Sequence, residues 1–259
     1  MFTTIFYGIT FTHCTEIEII HQVEKNSNSR IDGNRPESRI YHFLNAFCIT
    51  EFSELSDLKT CYKSDKSVNL CDGASIAIFH RLFLKKSIKR IRGGDFLRTL
   101  LNHSPERKFK IGVLGGSNYS LKEIVSSVHD IFPNSNIVYA YEPPFAEVSE
   151  YPIDRISQEL KAAELDLCLV AIGTPKQDLL ADLLSKQVDI DFFCIGAGLE
   201  FVLGRKKEAP KVLQSLGLEW LFRLINEPKR LGKRYLIGIP KFILVIISFY
   251  LVKGKLSNE

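Results

Sequence analysis

The sequence lacks the features that identify several common classes of protein. Its six cysteines form no CxxC pair and show no metal-ligand spacing, so a metal-binding cysteine motif is not expected. No basic segment precedes the apolar residues at the N-terminus, and Glu16 and Glu18 interrupt any longer apolar run. A secretory signal peptide is therefore not expected. These absences favour a reducing cytoplasm as the compartment of the protein.

Three signatures of nucleotide-binding and hydrolytic enzymes are also missing. Gly112, Gly115 and Gly116 do not have the GxGxxG spacing of dinucleotide-binding folds, and no glycine loop carries a Walker lysine. A nucleophile elbow is absent as well. The sequence therefore argues against an NAD-dependent dehydrogenase and against a P-loop NTPase.

Short apolar runs alternate with stretches of helical periodicity, and this alternation predicts the fold class. Strands are predicted at residues 5–10, 40–44, 68–71, 109–115, 136–140, 167–172 and 191–195, and helices at 15–23, 51–62, 74–84, 117–132, 153–163 and 176–184. Polar or glycine-bearing loops are predicted at residues 25–38 and 90–97. Such alternation is typical of an α/β fold, here a Rossmann-like, mostly parallel sheet flanked by helices.

Three of the predicted strands run into glycine turns, which contain Gly115 and Gly116, Gly173, and Gly196 and Gly198. A strand that enters a glycine turn and then a helix leaves backbone N–H groups free to bind an anion, phosphate in particular. Pro175 suits the first turn of the helix that follows Gly173. Because the carboxyl ends of parallel strands line one crevice, we expect all three turns to face a single nucleotide site.

Acidic residues occur next to two of the strands, on opposite sides. Asp72 follows the strand at 68–71, where Asp-Gly is either a turn or helix cap, or a catalytic element above the crevice. Asp189 and Asp191 precede a strand and so lie at the other edge of the sheet. We expect them to form a solvated turn and not a metal site.

Charge is distributed unevenly along the chain. From Arg205 onward there are twelve Lys and Arg against four Asp and Glu, a net charge of +8, whereas residues 1–204 carry 22 basic and 26 acidic groups, a net charge of −4. A basic tail favours an anionic partner such as phosphate, nucleic acid or a membrane surface. We therefore predict a catalytic α/β domain at 1–204 and a helical, basic and apolar appendage at 205–259.

The end of this appendage is strongly apolar from Leu236 to Val252. The run is shorter than the roughly 20 residues of a spanning helix, and Pro240 and Lys241 interrupt it. Basic residues flank it on both sides, at 229–233 and 253–255. This pattern predicts a monotopic anchor that docks residues 236–255 on a membrane surface; the alternative is a buried helix of the core.

The appendage also carries a specific resemblance. The segments 217–224 (GLEWLFRL), 227–230 (EPKR) and 234–235 (RY) resemble the signature of the WecG/TagA/CpsF family of bacterial glycosyltransferases. The earlier motifs follow in the order of that family, namely Asn45, Asp72-Gly73, 90–95 (RIRGGD), 114–116 (LGG), 173–177 (GTPKQ), 196–198 (GAG) and Gly204.

The resemblance implies an enzyme that transfers a sugar from a UDP-sugar to an undecaprenyl-diphosphate-linked acceptor sugar, with inversion and without metal or cofactor. Asp72 matches the proposed base of the family. Arg223, Arg230 and Arg234 are the candidates for neutralising the departing diphosphate, because guanidinium binds phosphate bidentately. Together with these arginines, the expected donor-binding residues are Asn45, the glycines of the three turns, Pro175 and Gln177, of which Gln177 would contact the donor sugar or base.

Three positions depart from the family pattern. Phe43 replaces a threonine, Glu208 replaces an arginine among phosphate-facing cations, and Asp178 replaces a glutamate. They motivate an alternative, a catalytically impaired nucleotide-sugar-binding or scaffold protein of a polysaccharide assembly. The expected location is the inner face of the bacterial plasma membrane, peripheral and cytoplasmic. No nucleic-acid partner is expected, and a homo-oligomer is left open.

Overall fold

The computed structural model describes residues 2–34, 36–83, 87–103, 109–116 and 120–256. Its strands are β1 (Phe2–Phe6), β2 (Ile9–His13), β3 (Ile40–Leu44), β4 (Ser67–Cys71), β5 (Lys110–Gly115), β6 (Asn136–Tyr141), β7 (Leu167–Ala171) and β8 (Asp191–Cys194). They form one eight-stranded sheet in the order β1-β2-β4-β3-β8-β7-β5-β6. All neighbouring strands are parallel except the β1–β2 hairpin, which confirms the predicted α/β fold.

Helices cover both faces of the sheet. They are α1 (Glu16–Ile31), α2 (Ala46–Glu54), α3 (Ser56–Lys63), α4 (Ala74–Phe83), α5 (Gly93–Asn102), α6 (Leu121–Ile131), α7 (Ile153–Ala162), α8 (Lys176–Ser185), α9 (Gly198–Val202), α10 (Lys211–Ser215), α11 (Glu219–Asn226) and α12 (Pro228–Leu256), with a 3-10 turn at Val148–Glu150. Helices α1, α5, α6 and α9 pack on one face, and α2, α3, α4, α7, α8 and α12 on the other.

Strand β7 shows why the apolar runs of this sequence form internal strands. Leu167 and Leu169 point into the core on the α5–α6 face, whereas Cys168 and Val170 point into the core on the α7–α8 face. Because successive side chains of a strand alternate between faces, a strand covered on both faces must be apolar at every position. The predicted strand at 167–172 is confirmed for this reason.

The N-terminal strand and one loop were predicted wrongly. The chain reverses at Tyr7 and Gly8, which both have positive φ angles (51° and 77°), so residues 5–10 form a hairpin turn with a strand on each side. Helix α1, which opens with a capping box formed by Thr15 and Glu18, continues to Ile31 through the stretch predicted as a loop. Local polar composition is overridden there by tertiary contacts.

The predicted helix at 51–62 is two helices, because Leu55 adopts an extended conformation between α2 and α3. The predicted loop at 90–97 contains the start of α5 at Gly93. This segment lies close to Gly198, where a Cβ atom would be only 3.3 Å from the backbone nitrogen of Gly94. Helix α6 begins at Leu121 and not directly after Gly116; the predicted entry at residues 117–119, like the predicted helix end at Leu84, lies outside the described residues.

Asp191 is a buried residue, so the prediction of a solvated turn is wrong for it. Its carboxylate accepts hydrogen bonds from Nδ2 of Asn26 (3.0 Å) and from the backbone N–H of Arg39 (3.0 Å), and Nη2 of Arg30 lies 3.8 Å away. Burial raises the pKa of this carboxyl to about 6. Asp191 therefore ties α1 to the amino end of β8, opposite the edge where strands meet the glycine turns.

We predict that Asp191 makes stability depend on pH. A carboxyl with a folded-state pKa of about 6 and an ordinary value of 3.8 binds more protons in the folded state, so its contribution to the unfolding free energy falls as pH rises from about 4 to 6, by about 2 kcal/mol. Asp191→Asn keeps an acceptor oxygen but has no such titration. Chemical denaturation at several pH values should show a flatter profile for this variant, and parallel profiles would contradict the prediction.

The C-terminal segment folds back over the body of the protein. Phe242 and Val245 of α12 are buried in one core cluster with Phe6 and Phe52. Among the described residues, no helix has the length and apolar character needed to cross a bilayer. The boundary predicted at 204/205 stays a prediction, although the side chains of α12 contribute to the same core as those of the sheet.

Candidate active site

A cavity of about 360 Å³ lies between the carboxyl edge of the sheet and helices α11 and α12. Of the predicted site residues, it is lined by Asn45, Asp72, Gly173, Gln177, Gly196, Gly198, Arg223, Arg230 and Arg234. The body of the protein therefore supplies one wall and the C-terminal segment the other. The site could not be assembled from either part alone.

Three predicted residues lie elsewhere. Gly115 packs against Ile172, and a Cβ atom on Gly116 would lie 3.4 Å from Ile124 and 3.6 Å from Leu199, so both glycines face neighbouring elements in the described structure. Pro175 is the N-cap of α8 and does not line this cavity. Two of the three glycine turns thus meet at the cavity, and a ligand role for the third stays a prediction.

Asp72 stands at the end of β4, where the chain is held tightly against β3. The backbone N–H groups of Asp72 and Gly73 both donate to the carbonyl of Leu44, at 2.9 and 3.0 Å. A Cβ atom on Gly73 would lie 2.9 Å from Cα of Asn45, so only glycine permits this approach. The backbone of this turn therefore fixes the point from which the Asp72 side chain projects into the cavity.

The electrostatic environment of Asp72 combines burial with opposing charges. Burial raises the pKa of its carboxyl, the charges of Arg223 and Arg90 lower it, and that of Glu219 raises it. Within the described residues, the carboxylate accepts no hydrogen bond. A carboxylate that accepts no hydrogen bond and has a raised pKa can serve as a general base.

Asn45 is both the N-cap of α2 and part of the cavity wall. Its Oδ1 accepts hydrogen bonds from the backbone N–H groups of Phe47 (3.0 Å) and Cys48 (3.4 Å). The amide Nδ2 is left without a partner among the described residues. Asn45 can therefore cap its helix and still offer two N–H donors to a ligand.

Gln177 joins the two glycine turns that meet at the cavity. Its Oε1 accepts from the backbone N–H groups of Gly173 (3.2 Å) and Gly196 (2.9 Å), while Nε2 donates to the carbonyl of Cys194 (3.1 Å) and to Oγ1 of Thr174 (3.3 Å). These four bonds use the full capacity of an amide. The donor contact expected for Gln177 stays a prediction, and a ligand would have to replace one of these bonds.

The C-terminal arginines differ in how their charge is balanced. The guanidinium of Arg234 lies 3.6 Å from the ring centre of Phe47, its buried Nε has no hydrogen-bond partner, and burial lowers its pKa. Arg223 lies 4.6 Å from the ring centre of Phe201. In the described structure neither forms an ion pair, whereas Arg230 pairs with Glu227 at 2.5 Å. Arg223 and Arg234 thus bring two guanidinium groups without ion-pair partners in the described structure to the cavity, which suits an anionic group.

Sequence analysis missed three charged residues of the site. Arg90 and Arg92 line the cavity just ahead of α5, and Glu219 faces them from α11. Nη2 of Arg90 lies 2.5 Å from Oε1 of Glu219, and Nε of Arg92 lies 3.5 Å from the same atom. The available signal was the position of these residues inside family motifs, since charge type alone does not separate them from surface residues.

Of the three departures from the family pattern, two are accommodated by local partners. Glu208 forms an ion pair with Arg98 at 2.9 Å, which balances its charge. Asp178 is buried and its Oδ1 lies 2.7 Å from Nδ1 of His42, which connects α8 to β3. Phe43 lines the cavity and leaves no hydroxyl where the family has threonine.

One group of side chains in the described structure could offer three ligand atoms to a metal. His42, Asp178 and Cys194 place such atoms within 4.8 Å of one another, and all three residues are buried. The hydrogen bond between His42 and Asp178 already uses two of these atoms, and the group packs beneath α8. Its position explains how α8 is anchored and does not require a metal.

We predict that Gln177→Ala destabilises the protein by about 2–4 kcal/mol, because it leaves buried backbone groups of both turns without partners. Chemical denaturation would measure the change. Gln187→Ala is a matched control on the surface just beyond α8, since Gln187 makes an exposed hydrogen bond to Asp154. Equal stabilities of the two variants would contradict the inference that Gln177 holds the two glycine turns together.

Comparisons with known proteins agree with this architecture. Residues 4–255 match the family model "Glycosyl transferase WecG/TagA/CpsF family". The chain is 29% identical over 191 residues (71% of this chain and 70% of the relative) to the N-acetylglucosaminyldiphosphoundecaprenol N-acetyl-beta-D-mannosaminyltransferase of Bacillus subtilis (strain 168). It is 26% identical over 231 residues (87% and 92%) to the UDP-Gal:alpha-D-GlcNAc-diphosphoundecaprenol beta-1,4-galactosyltransferase of Shigella boydii. Since the family model spans almost the whole chain, this protein belongs to the WecG/TagA/CpsF family of glycosyltransferases.

Proposed function

We propose that this protein is an inverting glycosyltransferase that moves a sugar from a UDP-sugar to a sugar carried on undecaprenyl diphosphate, in the synthesis of a bacterial surface polysaccharide. The observation that carries the proposal is the cavity, in which the Asp72 carboxylate shares one space with Arg223 and Arg234. Such a site offers a base for a hydroxyl group and cations for a diphosphate.

In the proposed reaction Asp72 takes the proton of the acceptor hydroxyl. The hydroxyl oxygen forms a bond to the anomeric carbon of the donor, while the bond from that carbon to the UDP oxygen breaks on the opposite face and its electron pair leaves with UDP. Attack and departure on opposite faces invert the anomeric carbon. The raised pKa of Asp72 makes it a stronger base once it is ionised.

Departure of UDP requires positive charge near its diphosphate. Arg223 and Arg234 reach the cavity from α11 and α12 without ion-pair partners in the described structure. A guanidinium remains charged and can bind two phosphate oxygens in parallel. We therefore propose that these arginines stabilise the leaving group and that the reaction needs no divalent metal.

The names of the relatives support the class of acceptor. Both describe a GlcNAc unit on diphosphoundecaprenol as acceptor, while one transfers N-acetylmannosamine and the other galactose. We propose a lipid-linked GlcNAc acceptor for this protein as well. The donor is proposed only as a UDP-sugar, because a few pocket contacts decide which sugar is transferred.

A lipid-linked acceptor places the reaction at a membrane, and α12 carries a surface suited to one. Its outer face exposes Leu236, Ile243, Leu244, Ile247 and Leu251, with exposed fractions from 48% to 79%, while Phe242 and Val245 face the core. Lys229 and Lys233 precede this surface and suit anionic headgroups. We propose that the outer face of α12 docks the protein on the inner face of the plasma membrane.

The alternative function is a nucleotide-sugar-binding or scaffold protein without turnover, and Phe43 is the observation that favours it. The two functions separate in an assay of UDP release with a panel of UDP-sugars and short-chain polyprenyl-diphosphate GlcNAc, with EDTA present throughout. We expect turnover with at least one donor. Turnover only after manganese is added would contradict the metal-independent mechanism, and UDP binding without any turnover would favour the alternative.

We predict that Asp72→Asn lowers kcat by roughly 10²- to 10⁴-fold, the usual contribution of a general base. UDP affinity should change little, because the proposed phosphate ligands are arginines. Isothermal titration with UDP and circular dichroism would show that the variant is folded and binds. Full turnover by the Asn variant would remove Asp72 from the mechanism.

We predict that Leu244→Glu with Leu251→Glu lowers partition onto vesicles of phosphatidylethanolamine and phosphatidylglycerol by at least about tenfold, because two exposed apolar side chains are lost from the docking face. Co-sedimentation would measure the bound fraction. Ile31→Glu, at an exposed position on the opposite side of the sheet, is the control for added negative charge. Unchanged partition of the double variant would refute docking through α12.

A further inference from the structure

The base proposed for this enzyme stands among guanidinium groups. Nε of Arg90 donates a hydrogen bond to the backbone carbonyl of Asp72 at 2.6 Å, so this guanidinium is held beside the carboxylate of the same residue. Arg92 and Arg223 line the same cavity. An arginine that closed onto the Asp72 carboxylate would occupy the oxygen that must take a proton and would weaken it as a base.

Glu219 engages two of these arginines, Arg90 and Arg92. Its Oε1 accepts a hydrogen bond from Nη2 of Arg90 at 2.5 Å, and Nε of Arg92 is 3.5 Å from the same oxygen. Nη1 of Arg92 donates to Asp95 (3.1 Å) and to Oε1 of Gln214 (2.8 Å). The side chains of Arg90 and Arg92 are therefore directed towards α10 and α11.

We propose that Glu219 is a positioning residue for the base, which binds Arg90 and Arg92 and so keeps both guanidinium groups away from the carboxylate of Asp72. The inference rests on the proposed function, because it concerns the chemistry of the same site. Glu219, on α11, then influences the pKa of Asp72, which lies just after β4. The C-terminal segment then acts on proton transfer as well as on the leaving group.

The charged groups around Asp72 agree in sign with this role. Arg90 and Arg92 face it from the segment ahead of α5, and Glu219 and Arg223 face it from α11; the charge of Glu219 raises the pKa of Asp72, and the arginine charges lower it. The nearby thiol of Cys71 is neutral, because burial raises its pKa to about 12. Glu219 is thus the acidic group of α11 that opposes these arginines, while Asp95 also pairs with Arg92.

Glu219 and Arg223 lie on the same face of α11 but have different partners. They are four residues apart in this helix, so both project from one face. Glu219 holds two arginines that belong to the body, whereas Arg223 has no ion pair in the described structure. Both residues of this helical face therefore act near Asp72: Glu219 holds Arg90 and Arg92, and Arg223 supplies a cation that lowers the pKa of Asp72 and can also bind the proposed diphosphate.

The test compares pH profiles of kcat/KM for the full-length protein and for Glu219→Gln, which keeps an acceptor oxygen for Arg90 but removes the charge. We expect the acidic limb of the variant to move to lower pH by on the order of 0.5–1 unit, because Arg90 then loses its ion pair with Glu219 beside Asp72, while Arg92 keeps its pair with Asp95. Activity above the limb should fall because the base is weaker. Glu219→Asp, which keeps the charge, should leave the limb near its original pH.

Two further variants isolate the cause. Glu208→Gln removes a carboxylate of the same cavity that pairs with Arg98, and its limb should stay in place. Arg90→Gln combined with Glu219→Gln should return the limb towards higher pH. In this double variant the guanidinium of Arg90, which Glu219→Gln alone leaves unpaired, is no longer present. A limb that stays in place in folded Glu219→Gln, with only KM or stability altered, would overturn the inference.

The same experiment distinguishes failure of the proposed function from failure of the inference about Glu219. If the wild-type protein shows no transfer, or if the acidic limb persists in Asp72→Asn, then Asp72 is not the titrating base and the mechanism itself is contradicted. If Glu219→Gln does not fold, Glu219→Asp with Arg90→Gln still tests the inference. Removal of Arg90 with an acid retained should move the limb to higher pH, and an unmoved or lower limb would overturn it.

Discussion

The close approach of β4 to β3 is the constraint on which the site depends. One carbonyl, that of Leu44, accepts hydrogen bonds from two successive backbone N–H groups, those of Asp72 and Gly73. The approach leaves no room for a Cβ atom on Gly73, because Asn45 lies in its path. The result is that the backbones of Asp72, the proposed base, and of Asn45, a helix cap in the cavity wall, are held in fixed relative positions before any ligand is bound. Catalytic groups held by backbone geometry need little rearrangement during the reaction.

Much of the fold could be predicted from the sequence, since β5, β7 and β8 are apolar on both faces and run into glycines. The strand at 167–172 and the turn after it are examples. The N-terminal hairpin escaped prediction because Tyr7 adopts a positive φ angle that is uncommon for a bulky side chain. The burial of Asp191 escaped as well, because its partners are on α1 and on the segment before β3, far away in sequence.

The candidate site, like the fold, could be predicted only in part. Residues at strand ends, such as Asp72 and Gly196, could be placed by topology alone, because the carboxyl ends of parallel strands meet. The arrangement of Gln177 could not, since its four hydrogen bonds join two turns whose separation only the folded chain defines. The role of Glu219 was missed for a related reason. An acid among arginines appears unfavourable for phosphate binding until the geometry shows which arginines it engages.

Helix α12 has two faces, one that contributes to the site and one that we propose lies on the membrane. The inner face carries Arg234 into the cavity and packs Phe242 and Val245 into the core, so removal of the whole segment would disturb the site and the fold together. The outer face exposes leucine and isoleucine. If this outer face lies on lipid, the cavity wall and the docking surface belong to one helix, which contains Pro240 between Arg234 and the exposed residues from Ile243 onward. For the proposed lipid-linked acceptor, the reach from the bilayer to Asp72 would then depend on how this helix lies on the surface, so the fold as well as the contacts with the sugar would limit which acceptors enter the site.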